Sequence, residues 1–404
     1  MSSSGDLDAL VRAEFGRTFG GAPTAMARAP ARVELLGNHT DYNGGLVIAA
    51  AIDRYTEIAG RAVEGRLARV RSVQFSAGDE FAVDRIEPGA DGSWGRYVRG
   101  VLWSLGERLN VRGGFEAAIA GDVPLGAGLS SSASLQAALA MFLIAAGVVE
   151  DPAVLDERPP CAGRADELRM ALAQMLQRGE NEFVGVASGL LDQFSVLFGK
   201  AGFALSLDCR SLEFARLSLG EPAPAIVVCD SKTSRRLADG MYNKRRAECE
   251  RVVTYFGARW LRDIALEQLE QHWDRLDPVG RLRARHVLTE NARVQRGADA
   301  LRAGRLAEFG ALMSASHASS RDDFDNSAPA LDALIEAAEA APGFLGGKLS
   351  GAGWAGCTVN LVETGRAGAF AATVSERFAR RFGTVPDVHV CHAAAGATAW
   401  TATI

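Results

Sequence analysis

Pro124-Leu-Gly-Ala-Gly-Leu-Ser-Ser-Ser-Ala-Ser134 combines a tight glycine turn with a run of small hydroxyl side chains. Gly126 and Gly128 let the backbone approach a ligand, and successive N–H groups in such a turn form a nest for an anion. Behind it, Ala133 to about Val149 is strongly apolar. That run predicts a buried helix opened by Ser130–Ser132, residue types suited to a helix start. A helix N-terminus adds positive partial charge at the same place. The expected occupant is a phosphate chain, with the Ser132 hydroxyl available to Mg2+. The competing explanation is an ordinary capped helix after a tight loop.

Upstream, Phe115–Ala120 predicts the strand that feeds this loop, and alternating patterns over Ile58–Val63 and Ala68–Phe75 predict two more. Leu46–Ile52 is short and continuously apolar, like a buried strand. It follows a second conspicuous segment, Pro30-Ala-Arg-Val-Glu-Leu-Leu-Gly-Asn-His-Thr-Asp-Tyr-Asn-Gly-Gly45. Asn43–Gly44 alone would make a turn. Arg32, Asn38, His39 and Asp41 need a further reason, and a cluster of directional donors and acceptors suits a polyhydroxy sugar. Residues 7–19 predict an amphipathic helix.

Downstream, residues 150–164 hold three prolines and predict a loop. Glu167 to about Glu182 predicts a helix, broken by Gly185 and Gly189 and restarting near Leu191. Strands are expected over Phe203–Asp208 and Ala225–Cys229, and helices from Thr233 to Ala341. The third glycine segment, Gly346-Gly-Lys-Leu-Ser-Gly-Ala-Gly-Trp-Ala-Gly-Cys357, holds five glycines. It lies in a predicted loop, Gly343–Gly356, placed either for close approach to triphosphate or substrate or as a plain helix-to-strand turn. A strand (Cys357–Val362), a helix (Arg366–Arg381) and two strands (Val388–Cys391, Ala397–Ile404) finish the chain. The composition shifts toward helix near residue 205, giving expected domains 1–205 and 206–404; the final strands are candidates to return to the first.

The bulk numbers fit this picture. A chain of 404 residues suits two domains. A net charge of -5 gives no global field for nucleic acid or an anionic membrane. Six scattered cysteines without a CxxC pair and six histidines without metal-ligand spacing argue against a disulfide framework or a zinc site. Met1–Asp8 lacks an apolar signal core, so a cytoplasmic protein is expected; a monomer is expected as well. No Gly-Lys-Ser/Thr occurs, so the phosphate loop is not a Walker A loop.

Together the three segments resemble the motifs of the GHMP kinases (galactokinase, homoserine kinase, mevalonate kinase and phosphomevalonate kinase), in that family's order. The segment Pro30–Gly45 resembles the galactokinase signature in particular. The likeness continues in Glu180–Phe194, Asp208–Glu213, Met241–Arg246, Ser316–His317 and Arg321–Phe324. It implies an α+β, two-domain GHMP kinase fold: an N-terminal ribosomal protein S5 domain 2-like α/β domain and a C-terminal ferredoxin-like domain, with the active site in the cleft between them. It implies ATP and Mg2+ as cofactors and a small-molecule sugar as partner. The implied reaction is phosphorylation of the C1 hydroxyl of galactose to α-galactose 1-phosphate.

The resemblance also distributes roles. Asp192 matches the proposed base, either accepting the anomeric proton or positioning the hydroxyl, and Arg32 matches the arginine beside it. Ser132 and Glu180 match the Mg2+ ligands. Twelve residues of straight helix would hold Glu180 about 18 Å from Asp192, so the Gly185–Gly189 break is mechanically useful. Asn38, His39, Asp41, Gly189 and Tyr242 fall at sugar positions. Pro124, Gly126, Gly128, Leu129, Ser130, Ser131, Ser132, Ala133, Ser134, Trp94, Gly351 and Gly353 fall at ATP positions.

Two residues depart from the signature. Asn38 stands where it normally has Glu, a residue associated with the sugar's C6 hydroxyl, and Glu34 stands where it usually has Asn. Losing the charge at 38 leaves galacturonate and arabinose open as substrates beside galactose. A catalytically silent sugar and ATP sensor is the other alternative, and the intact Arg32, Ser132, Glu180 and Asp192 favour an enzyme.

Overall fold

The computed structural model describes residues 4–150, 164–186, 188–233 and 240–402; apart from its two ends, the loop expected over 150–164 lies outside them. The first sheet grows from strands β1 (Ala25–Leu36) and β2 (Leu46–Val63), antiparallel neighbours along their length. β2 is one strand, where two were expected. Their register slips opposite Pro30/Ala31, so Asp53 and Arg54 are left out of the pairing. A proline cannot donate to the ladder, and a bulge there absorbs the missing bond. In sequence, that polar bulge imitates a turn.

β3 (Leu67–Ser72), β4 (Ala77–Ala82) and β5 (Gly114–Gly121) extend the sheet in the order β1-β2-β5-β3-β4. β6 (Phe203–Asp208) pairs with the first residues of β2, and β7 (Phe214–Ser218) pairs with β6. The expected boundary at 205/206 therefore falls inside a strand of the first sheet, whose pairing continues to Ser218. Helix α1 (Ser4–Phe19) covers one face through Leu7, Val11 and Phe15. Helices α2 (Gly95–Gly106), α3 (Ser131–Ala145), α4 (Arg164–Arg178) and α5 (Leu191–Phe198) cover the other. α3 is apolar all round because it is buried all round, as its composition requires.

The second sheet runs β11-β8-β10-β9, all antiparallel, from β8 (Ala225–Asp230), β9 (Phe344–Leu349), β10 (Cys357–Val362) and β11 (Asp387–Cys391). Between β8 and β9 lie α6 (Met241–Phe256), α7 (Leu266–Gln271), α8 (Pro278–Arg302), α9 (Leu306–Ser319) and α10 (Pro329–Glu339). α11 (Ala367–Phe382) joins β10 to β11. This is a β-α-β-β-α-β ferredoxin-like arrangement.

β9 occupies half of the expected glycine loop. Its glycines serve packing: a Cβ on Gly346 would come within 2.0 Å of the Gly310 carbonyl on α9. The last strand, β12 (Thr398–Thr401), returns to the first sheet beside β1, while β11 stays in the second. The two sheets share one apolar core, in which Ala31, Val33 and Leu35 of β1 meet Ile226 and Val228 of β8, Val359 of β10 and Phe309 of α9. No helix among the described residues is long and apolar enough to cross a membrane.

Candidate active site

A cavity of about 1030 Å³ opens where the two halves meet, walled by β1, the loop before α3, the Glu180–Asp192 segment and the turn after β9. Its floor is β1. Residues two apart on a strand share a face, and Arg32 and Glu34 both line the cavity.

The phosphate loop is pinned by alternation. Val123, Ala127 and Leu129 are buried, whereas Leu125 is 55 % exposed at the tip. Gly126, Gly128 and Ser130 take left-handed backbone angles. Ser130 precedes α3 without capping it; its hydroxyl donates instead to Asp192 Oδ2. Among the described residues no side chain caps the first turn of α3, so its N–H groups are available to an anion. Gly126, Gly128, Leu129, Ser130, Ser131 and Ser132 line the cavity. Pro124, Ala133 and Ser134 do not, and Ser134 donates to the Ala29 carbonyl and Thr56 in the interior.

Asp192 opens α5, and its carboxylate meets Arg32 at 2.6 Å. Arg32 also donates to the Gly128 carbonyl at 2.7 Å, which ties the ion pair to the phosphate loop. Glu180 reaches the same region from a π-turn, Gly179–Val184, that ends α4. It is almost wholly buried, and it accepts from Ser188 at 2.7 Å and Gln193 at 2.6 Å and is hydrogen-bonded by Ser132. Burial pushes the Glu180 carboxyl up, and the nearby Asp192 charge adds to this. The break between α4 and α5 thus brings Glu180, Ser132 and Asp192 together. Ser188 and Gln193, which hold Glu180, carry no signal of their own in sequence.

The loop after β1, expected to face a sugar, is held from the second half. Glu290 of α8 accepts from the backbone N–H groups of Gly37 (2.9 Å) and Asn38 (3.3 Å), and from Ser316 (2.6 Å). Beside Arg293, His286 and Lys348, its carboxyl lies down at about 2 despite full burial. His39 adopts a left-handed backbone. Its Nε2 faces the Ala352 carbonyl at 3.0 Å, so it must carry the proton, and Nδ1 accepts from Tyr42 at 2.9 Å. Burial holds this ring down at about 3, and both ring nitrogens are spent on protein. Asn38 is equally saturated. Its Nδ2 donates to Glu34 and to the Gly351 carbonyl, and its Oδ1 accepts from Ser320 and Asn326.

Asp41 lines the cavity, and burial, then the Glu34 charge, pushes its carboxyl up to about 7. Gly189 packs against it: a Cβ there would come within 1.9 Å of Asp41 Oδ2. Gly351 and Gly353 line the cavity beside Asn38 and His39. Tyr242 lies in the first turn of α6, and its side chain falls outside the described residues. Trp94 is in the cavity wall, with its ring parallel to that of Phe75 and the centroids 6.1 Å apart. Phe75 carries no signal in the sequence, since a lone aromatic at the end of a strand pattern looks like core. Among the described residues no three His, Cys, Asp or Glu side chains cluster as a metal site.

Comparison with known proteins gives consistent matches. The family model described as the galactokinase galactose-binding signature matches residues 13–62, the GHMP kinases N-terminal domain matches 96–200, and the GHMP kinases C-terminal model matches 298–380. The chain is 41% identical to the galactokinase of Roseiflexus sp. over 401 residues, covering 98% of this chain and 97% of that one. It is 39% identical to the galactokinase of Chloroflexus aggregans, covering 96% of each. The crystal structure of Lactococcus lactis galactokinase complexed with galactose superposes with a TM-score of 0.88 at 32% identity, over 97% of this chain and 99% of that one. A mevalonate kinase superposes at a TM-score of 0.60 and 17% identity, over 91% of this chain and 98% of that one, a likeness of fold alone.

Proposed function

The chain belongs to the galactokinase family of the GHMP kinases, and from that premise we propose that it transfers the γ-phosphoryl group of ATP to the C1 hydroxyl of galactose. The observation that carries this is the Arg32–Asp192 pair, fixed where the phosphate loop meets the sugar-facing loop. A hydroxyl oxygen beside Asp192 forms the new bond to the γ-phosphorus as the bond to the β-phosphate oxygen breaks. The hydroxyl proton passes to Asp192 and then to solvent, and ADP leaves. In a loose transition state little deprotonation is needed early, so Asp192 serves first to aim the hydroxyl and later to take its proton. Arg32 faces the charge that builds on the transferred group.

The phosphates lie on the free N–H groups of α3 and the Gly126–Ser132 turn. The adenine stacks against the Trp94 and Phe75 rings. Ser132 and Glu180 would hold Mg2+. Both offer hard oxygens, two protein ligands suffice for an ion that keeps water and bridges phosphates, and a cation there would offset the buried Glu180 charge. When bound, it would neutralise the triphosphate. Asp41 and Gly189 face the sugar, Tyr242 is a further contact implied by resemblance alone, and His39 orders the loop through its ring and Asn38 through its amide. The Asn38 amide is spent on protein groups and so favours neither galacturonate nor arabinose, and the likeness to galactokinases supports galactose. We also read the protein as a cytoplasmic monomer, the state expected from its sequence.

Steady-state turnover of galactose, galacturonate, arabinose and N-acetylgalactosamine with MgATP tests the assignment. Galactose is expected to have the highest kcat/KM. Good turnover of another sugar beside undetectable turnover of galactose would refute it.

A further inference from the structure

The two departures from the galactokinase signature touch each other. Asn38 Nδ2 donates to Glu34 Oε1 at 3.3 Å. The signature carries a carboxamide on the strand and a carboxylate on the loop, and here the same two groups stand in exchanged positions. The geometry points to Glu34, acting from β1, as the residue that accepts a hydrogen bond from a sugar hydroxyl remote from the reacting carbon and excludes sugars carrying a carboxylate at that position. This rests on the galactose assignment above.

Three observations support it. Glu34 lines the cavity and is two residues from Arg32 on β1, so the two side chains leave the same face about 7 Å apart. Arg32 marks the reacting end through Asp192, so a ring lying along β1 presents its far hydroxyls to Glu34. Next, the carboxylate is oriented and half free. Oε1 is held by the fully buried Lys348 at 2.7 Å and by Asn38, while Oε2 takes no partner among the described residues. Lastly, Asn38 has no capacity left, since both its N–H groups and both acceptor positions of Oδ1 are used. The exchange thus keeps a negative acceptor in the wall, where Glu34 is close enough to Asp41 to act on it. The Glu34 carboxylate there welcomes a hydroxyl donor and repels an anion.

The test measures kcat/KM of the wild-type and Glu34→Gln enzymes on galactose, 4-deoxygalactose, 6-deoxygalactose and galacturonate. Glu34→Gln is expected to lose about tenfold or more on galactose. On the deoxy sugar that lacks the contacted hydroxyl it should lose about twofold or less, and its rate on galacturonate should rise relative to wild type. Equal losses on galactose and both deoxy sugars would overturn the proposal. Because the single change strands the Lys348 charge, the series is repeated with Glu34→Gln combined with Lys348→Met, which leaves no buried ion unpaired and should show the same sugar pattern. A wild-type profile in the pair also overturns the proposal. Failure of the wild-type enzyme on galactose condemns the substrate assignment instead, so the two failures are distinct.

Discussion

Arg32 and Asp192, 160 positions apart, form a two-pronged ion pair in which Arg32 Nε and Nη2 lie 2.7 and 2.6 Å from Asp192 Oδ1. Both prongs fall on one oxygen. The other, Oδ2, accepts from Ser130 and retains acceptor capacity for a substrate hydroxyl. Asp192→Asn keeps the shape and removes the charge. Its kcat is expected to fall about 10²-fold or more, while sugar and MgATP dissociation constants stay within about threefold. Single-turnover kinetics with calorimetry separate these, and near-normal turnover would remove Asp192 from its role.

Gly189 has no room for a side chain, because its Cβ would meet Asp41 Oδ2 at 1.9 Å. Gly189→Ala therefore displaces the Asp41 carboxylate. KM for galactose is expected to rise about 10- to 100-fold, with KM for ATP nearly unchanged. A matching rise in both constants would show general damage to the cleft rather than a sugar contact.

The Asp41 carboxyl lies at about 7. A sugar hydroxyl donating to it favours the ionised form. Binding near pH 7 should therefore release a fraction of a proton, and affinity for galactose should increase as the pH rises through 7. Calorimetry at pH 7 in two buffers of different ionisation enthalpy counts that proton. Zero release, or uptake, contradicts the assignment of Asp41 as an acceptor.

These residues were legible in the sequence to different depths. Motif chemistry is local, so the phosphate loop, the start of α3 and the placing of Arg32, Asp41 and Asp192 could be read from spacing and resemblance. Pairing between distant segments is not local. Asn38 looked like a sugar ligand until its four partners, three of them from residues 320–351, were in view. The Glu34 change had no visible meaning until Asn38 was found against it. β2 looked like two strands because its bulge is polar, and β9 looked like a loop because its glycines answer to a helix packed on it.

Glu180 is buried, with its carboxyl pushed up, so a divalent cation held there would offset an existing burden. Glu180→Gln is expected to raise the Mg2+ concentration for half-maximal rate about tenfold or more, and EDTA should stop turnover. Initial rates against Mg2+ at fixed ATP decide the matter. An unchanged half-saturation with unchanged kcat would place the metal elsewhere.

With Arg32 and Asp192 set beside the phosphate loop, the phosphoryl group is expected on the anomeric oxygen of galactose. Phosphorus-coupled proton NMR of the product formed from galactose and MgATP tests this most directly. A single product is expected, its H1 signal split by phosphorus in the α configuration. Phosphorus coupling to H6, or no phosphorylated galactose at all, would contradict it.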